Sequence, residues 1–315
     1  MRLHIFNSNV IQLYSDGAKS ENDTFFLTTT IWGKPGACDR YSKHISDVHK
    51  IISENGIALK IFHAVDLNKR NWDRFYPAYI QVINKLMEFI ENRYLRMMIF
   101  IESKEKYINN SKELEDTLKT YICNRNHPFG NIYQSIHIND LIAIYKETHT
   151  IYNYLRNRDI FGEDDQQFEY YPDASGKILQ YGSKKTFLKS PNSPGLLMTE
   201  FYDVIRMIAQ HLSTSLADVL KWGRINRQRL VKYEPKNDED SFLIQSADII
   251  CNFFLSTIKY LVGIDSGITR KKALALLAFN CIRSSKTNIL NEFINQNGKC
   301  VCRRPDCEVR FSFYG

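Results

Sequence analysis

Residues 241–261 read SFLIQSADIICNFFLSTIKYL, an apolar run broken by polar side chains that share one register. Gln245, Asp248, Asn252, Ser256 and Lys259 step by 3, 4, 4 and 3, which at about 100° per residue confines them to a helical stripe roughly 80° wide. Ordinary amphipathic helices carry a polar stripe too, but a solvated one is usually rich in Lys and Glu. Here a lone carboxylate, Asp248, sits between amides. The pattern predicts a core helix packed on a sheet with one acid aimed into a cleft. The apolar stretch from Leu243 to Ile264 holds Asp248 and Lys259, and such charges are costly at mid-bilayer, so a buried helix explains it better than a membrane span.

Working outward, the segments Ile11 to Asp16 and Thr24 to Trp32 are β-rich and joined by a polar turn, which predicts an antiparallel hairpin. A helix from Tyr41 to Glu54 stops at Asn55-Gly56, a C-cap signal, ahead of the strand-like IALKIF at 57–62. Asn71 to Asn92 has the period of a long helix, followed by an apolar strand from Met97 to Ile101. Helical patterns at Lys112 to Cys123 and Asn139 to Arg158 flank the loop NRNHPFGN, so a helical insertion at about 105–160 is expected. The strand QFEYYPD then reaches Asp173, Pro194 opens a helix to Leu212, and INRQRLVKY returns to β character. Residues 268–282 and 286–296 read as helices before a cysteine-containing tail. Together these predict an α/β domain over residues 1–262, a mixed sheet flanked by helices, and a helical extension over 263–315.

The 315 residues are 43% hydrophobic, enough to build a large core without disulfide staples. Seven cysteines scattered through the chain are no disulfide framework. Cys300, Cys302 and Cys307 cluster, but C-x-C-x₄-C is not a usual zinc spacing and no fourth ligand is apparent, so reduced thiols are expected. The start MRLHIFNSNVIQLYSDG has none of the regions of a secretory leader, and a cytoplasmic location is the expectation. Lys and Arg exceed Asp and Glu by 42 to 35, a formal +7 that favours a polyanionic partner. Lys184, Lys185 and Lys189, then Lys221, Arg224, Arg227, Arg229 and Lys232, then Arg270, Lys271 and Lys272 form basic clusters; either they are solvated surface or they hold a nucleic-acid backbone. P-loop, zinc-finger, RRM and Gly-x-Ser-x-Gly patterns are absent, so those chemistries have no motif behind them.

Three further acids fall where strands should end: Asp16 after IQLYS, Glu102 after MMIFI and Asp173 after FEYYP. A sheet fixes the backbone and projects such residues into the crevice beyond it. Two divalent ions about 4 Å apart require several carboxylates from different elements. Taken singly, each acid is equally a turn marker, as in Asp16-Gly17.

The order SDGA, LKIF, YYPDASGK and IQSADIICNFF resembles a widespread prokaryotic domain of unknown function with a predicted RNase H-like fold. That family carries Asp-Glu-Ser-Gly on its first strand, a Lys after the hairpin and first helix, an Asp ending a later strand and a late Gln-x-Ala-Asp helix. The resemblance spans about residues 11–262 and gives Asp16, Lys60, Asp173 and Asp248 active-site roles, with Gln245 as the helix-start signature. It implies a Mg²⁺- or Mn²⁺-dependent nuclease acting on DNA or RNA, in phage defence or mobile-element biology. Gly17 and Ala18 stand where the family has Glu and Ser, and Glu102 or Asp240 of the acidic NDED loop are the candidate replacements. Lys60 would hold a phosphate oxygen, and His63 would shuttle a proton or bind metal, unless each is simply a satisfied surface group. Asn252 supports the same helix face. The alternative is an RNase H-like scaffold that binds nucleic acid or a partner protein without cutting, in which homo-oligomers are also open.

Overall fold

The computed structural model describes residues 10–18, 25–57, 59, 61–103, 167–173, 230–234, 236–261, 263, 266–278 and 309–314. Lys60, the insertion expected at 105–160, the helix from Pro194, the basic residues Lys184, Lys185, Arg224, Arg227 and Arg229, the helix at 286–296 and Cys300, Cys302 and Cys307 lie outside the described residues.

The chain divides into two compact units. One comprises Met1–Ile11, Glu105–Tyr170 and Ala174–Pro235; the other comprises Gln12–Lys104, Tyr171–Asp173 and Lys236–Gly315. In the first, strand β4 (Gln167–Pro172) runs parallel to β5 (Leu230–Tyr233), with a register shift between Phe168 and Glu169.

The second unit is α/β, a mixed four-stranded sheet flanked by helices. Strands β1 (Val10–Ala18), β2 (Phe25–Gly33) and β3 (Leu95–Ser103) form an antiparallel meander, as the hairpin signals predict. Strand β6 (Val309–Tyr314) pairs parallel with β3. The tail, expected as part of a helical extension, therefore contributes a strand: VRFSFY alternates and is rich in β-formers, and β3 offers it an edge. The last residues of β4 join this unit too, because the Asp173 N–H donates to Ser15 O at 2.8 Å.

Alternation decides what each strand buries. Tyr14, Leu27, Ile31, Leu95, Met97 and Ile99 enter one apolar core, and the β1–β2 register sets Asp16 opposite Thr29 on that same face. Helices α1 (Pro35–Glu54), α2 (Trp72–Glu91) and α3 (Phe242–Leu261) pack together, and α3 lies on β2. Helix α1 starts six residues before Tyr41, because Pro35 fits the first turn of a helix. It ends as expected: Gly56 at φ +78° lets Ile57 N–H reach Ile52 O and Gly56 N–H reach Ser53 O. Asn71 and Asn92 flank α2.

Among the described helices α3 is long and apolar enough to cross a membrane, but Ile244, Ala247, Ile250, Cys251, Phe254 and Ile258 are spent on the interior of this fold. Its neighbour α4 (Gly267–Leu277), capped by Ser266, packs along it.

Candidate metal centre

The polar stripe of α3 faces largely inward, with Lys259 also only partly exposed. Gln245 and Ser256 are buried, and Asp248 and Asn252 are partly so. What the stripe meets is the segment 61–64. That segment forms no strand among its described residues, contrary to the reading of IALKIF, because its polar backbone groups are taken by side chains and by a 3-10 turn (Ala64–Asp66), in which His63 O accepts from Asp66 N–H and Ala64 O from Leu67 N–H, instead of a sheet ladder. Phe62 N–H donates to Gln245 Oε1 at 3.0 Å, and Ala64 N–H donates to Asp248 Oδ2 at 2.6 Å. His63 O accepts from Tyr79 Oη at 2.6 Å, and Ala64 O accepts from Lys272 Nζ at 3.1 Å. Gln245 also donates to Asp238 O at 2.6 Å, so one amide ties the 62–64 segment to the acidic loop before α3.

This arrangement places His63 between two acids. Its Nδ1 lies 3.2 Å from Asp248 Oδ2 and its Nε2 lies 3.7 Å from Asp238 Oδ2. The bond to Asp248, with help from the charges of Asp248, Asp238 and Asp66, outweighs partial burial and lifts the imidazole from 6.5 to about 9. The pairing with Asp248 favours the imidazolium form of His63.

Four acids act on one another here. Asp16 comes from β1, Asp173 from the end of β4, Asp238 from a single 3-10 turn (Asp238–Asp240) and Asp248 from α3. Loss of hydration, followed by the charges of Asp248, Asp173 and Asp238, holds the Asp16 carboxyl well above the usual carboxylate range, although the Gly17 N–H partly offsets this. Asp238 is raised to about 6, first by burial and then by Asp173 and Asp248, with His63 pulling it back. Two buried oxygens nearby have no hydrogen-bond partner among the described residues: Asp238 Oδ1, and Oγ1 of Thr29 opposite Asp16. The unpartnered Asp238 Oδ1 and the raised carboxyls of Asp16 and Asp238 are features that a divalent cation would relieve. Among the described residues no three His, Cys, Asp or Glu side chains stand at the spacing of a bound ion.

The other expected residues fall as follows. Asp240, offered as the replacement acid, is exposed and accepts from Asn237 Nδ2 at 3.3 Å; its neighbour Asp238 is the one turned toward the cluster. Three acids in a row carry no local signal for which one turns inward. Glu102 lies on β3 opposite Phe26, next to the last residue of the strand. Asp16 lies within β1 and not after its end. Gly17 is on the opposite face of β1 from Asp16 by alternation, where a Cβ would meet Leu27 O at 3.3 Å, so the acid expected there takes nothing from the Asp16 face. Asn252 Oδ1 accepts from Lys272 Nζ at 2.7 Å. Lys272, expected with Arg270 and Lys271 either as solvated surface or as a nucleic-acid contact, is buried; its burial is set by α4 packing on α3, which no local pattern announces.

Comparison with protein families, with curated proteins and with solved structures finds no match for this chain.

Proposed function

We propose that the chain is a divalent-metal-dependent phosphodiesterase acting on DNA or RNA, with an RNase H-like arrangement of its sheet. The observation that carries this reading is the meeting of acids from separate elements: Asp173 N–H bonds Ser15 O beside Asp16, and His63 lies 3.2 Å from Asp248 Oδ2 and 3.7 Å from Asp238 Oδ2, with burial and the charges of the other three acids raising the Asp16 carboxyl. The antiparallel meander β1–β2–β3, the acid at the end of β4 beside β1 and the acid on the late helix α3 support the RNase H-like reading.

Asp16, Asp173 and Asp238 would hold Mg²⁺ or Mn²⁺, with Asp248 completing the set. When bound, the cation supplies a water of lowered pKa and offsets the charge of a phosphodiester oxygen. The protein's own contribution is positioning and proton handling. Asp248 directs both its contacts through Oδ2, orienting His63 and the Ala64 peptide at once. His63, favoured as the imidazolium and part exposed, is the group able to give a proton to a departing sugar oxygen.

A second reading, a non-cutting scaffold for nucleic acid or a partner protein, is favoured by that same Asp248 Oδ2, which already serves the backbone. Calorimetric titration with Mn²⁺ separates the two. The enzyme reading requires saturable binding that is lost in Asp16→Asn and Asp238→Asn; a wild-type protein that binds no Mn²⁺ leaves the scaffold reading.

A further inference from the structure

We propose that Lys272 is a positioning residue for this site: its ammonium, bonded to Ala64 O and Asn252 Oδ1, clamps the Ala64 peptide against Asp248 and so sets the aim of both His63 and Asp248. What the site does rests on the reading above; the clamp itself rests on geometry alone.

Lys272 is 7% exposed, and an ammonium so placed loses most of its hydration. It recovers two hydrogen bonds, at 3.1 Å to Ala64 O and 2.7 Å to Asn252 Oδ1, and stands 5.9 Å from the centre of the Phe253 ring. Burial still leaves its mark, lowering the amine from 10.5 to about 8 against the opposing pull of Asp248. If α4 needed only to pack on α3, an apolar side chain would serve at less cost.

The location of the two bonds explains the choice. Residue 64 has its N–H held by Asp248 and its C=O shared by Lys272 and the Leu67 N–H, while the preceding carbonyl is shared by Tyr79 and the Asp66 N–H. The backbone that follows the His63 ring is thus held by groups from α2, α3 and α4. Asn252 lies one turn beyond Asp248 on α3, so Lys272 reads the position of the same helix that carries the acid.

The test is amide hydrogen exchange in the folded full-length protein, comparing wild type with Lys272→Met. A positioning role predicts that Ala64 N–H exchange accelerates about tenfold or more beyond any change at core amides such as Val82 and Ile83. A purely structural lysine would instead accelerate all of these together or none, and that result overturns the proposal. Should Lys272→Met not fold, Asn252→Ala removes only the amide that aims the ammonium, and selective loss of Ala64 protection is again the expected result. Mn²⁺ titration of the same proteins keeps the two ideas apart. A wild type that binds no Mn²⁺ sinks the metal reading while Ala64 exchange still decides the clamp. A wild type that binds Mn²⁺ with an affinity unchanged in folded Lys272→Met denies the clamp any part in the site.

Discussion

The carboxylate of Asp248 accepts the backbone N–H of Ala64 at 2.6 Å, across 184 residues of sequence. The same oxygen lies 3.2 Å from His63 Nδ1, so one atom fixes both a loop and the ring it presents. Asp248→Ala leaves the Ala64 N–H without its partner and should cost about 1–3 kcal/mol in urea unfolding. Asp248→Asn keeps an acceptor of the same shape and relieves repulsion among the acids, so its cost should stay below about 1 kcal/mol. In that variant an NMR titration should find His63 moved from about 9 back toward 6.5.

Stability without metal should fall as pH rises from mildly acidic to mildly alkaline. Asp238, at about 6 when folded against an ordinary 3.8, contributes stability that is complete below 3.8 and lost as pH rises through about 6. Asp16, also raised, acts in the same direction. His63 contributes stability that is complete below 6.5 and lost as pH rises through about 9. Lys272 runs the other way, because a folded value of about 8 against 10.5 relieves a burial penalty only as pH rises through that interval. Thermal melts at pH 5 and pH 7.5 check the sign. Added Mn²⁺ should raise the melting temperature more at pH 7.5, above the value of about 6 at which Asp238 loses its proton.

Gln245 joins two segments with one amide, accepting from Phe62 N–H and donating to Asp238 O. Gln245→Leu strands both groups in a buried place and should lower stability by about 1–3 kcal/mol, read from denaturant midpoints. Mn²⁺ affinity should fall with it, since Asp238 loses its tether; Gln245→Glu would not rescue it, having no N–H for Asp238 O.

Removing residues 263–315 takes away both α4, which supplies Lys272, and β6, which covers the edge of β3. The truncated chain should be less stable and more prone to aggregate, as size-exclusion chromatography and thermal melts would reveal. A shortened protein with unchanged melting temperature and Mn²⁺ affinity would show that the core closes without them.

Where local pattern governs, the sequence was readable. Asn71 and Asn92 bound α2 because a 20-residue apolar period has nowhere else to end, and the alternation of QFEYYP is enough to make β4. The inward stripe of α3 was visible because amides there replace the Lys and Glu of a solvated face. Legibility stopped where a partner lies far along the chain. The apolar alternation of IALKIF suggests a strand, yet the partners of Phe62 and Ala64 are side chains more than 180 residues away, and no local pattern reports them. Lys272 among Arg270 and Lys271 looks like solvated charge until α4 is packed. Asp238 and Asp240 are equivalent in sequence, and only the 3-10 turn and its tether to Gln245 separate them.

The most direct measurement incubates the purified protein with end-labelled single- and double-stranded DNA and RNA in Mn²⁺, beside Asp16→Asn and a chelator control. Metal-dependent cleavage of at least one substrate by the wild type, lost both in Asp16→Asn and on chelation, is the expected result. No cleavage of any substrate by a folded, Mn²⁺-saturated wild type, or cleavage that survives in Asp16→Asn, would contradict the account.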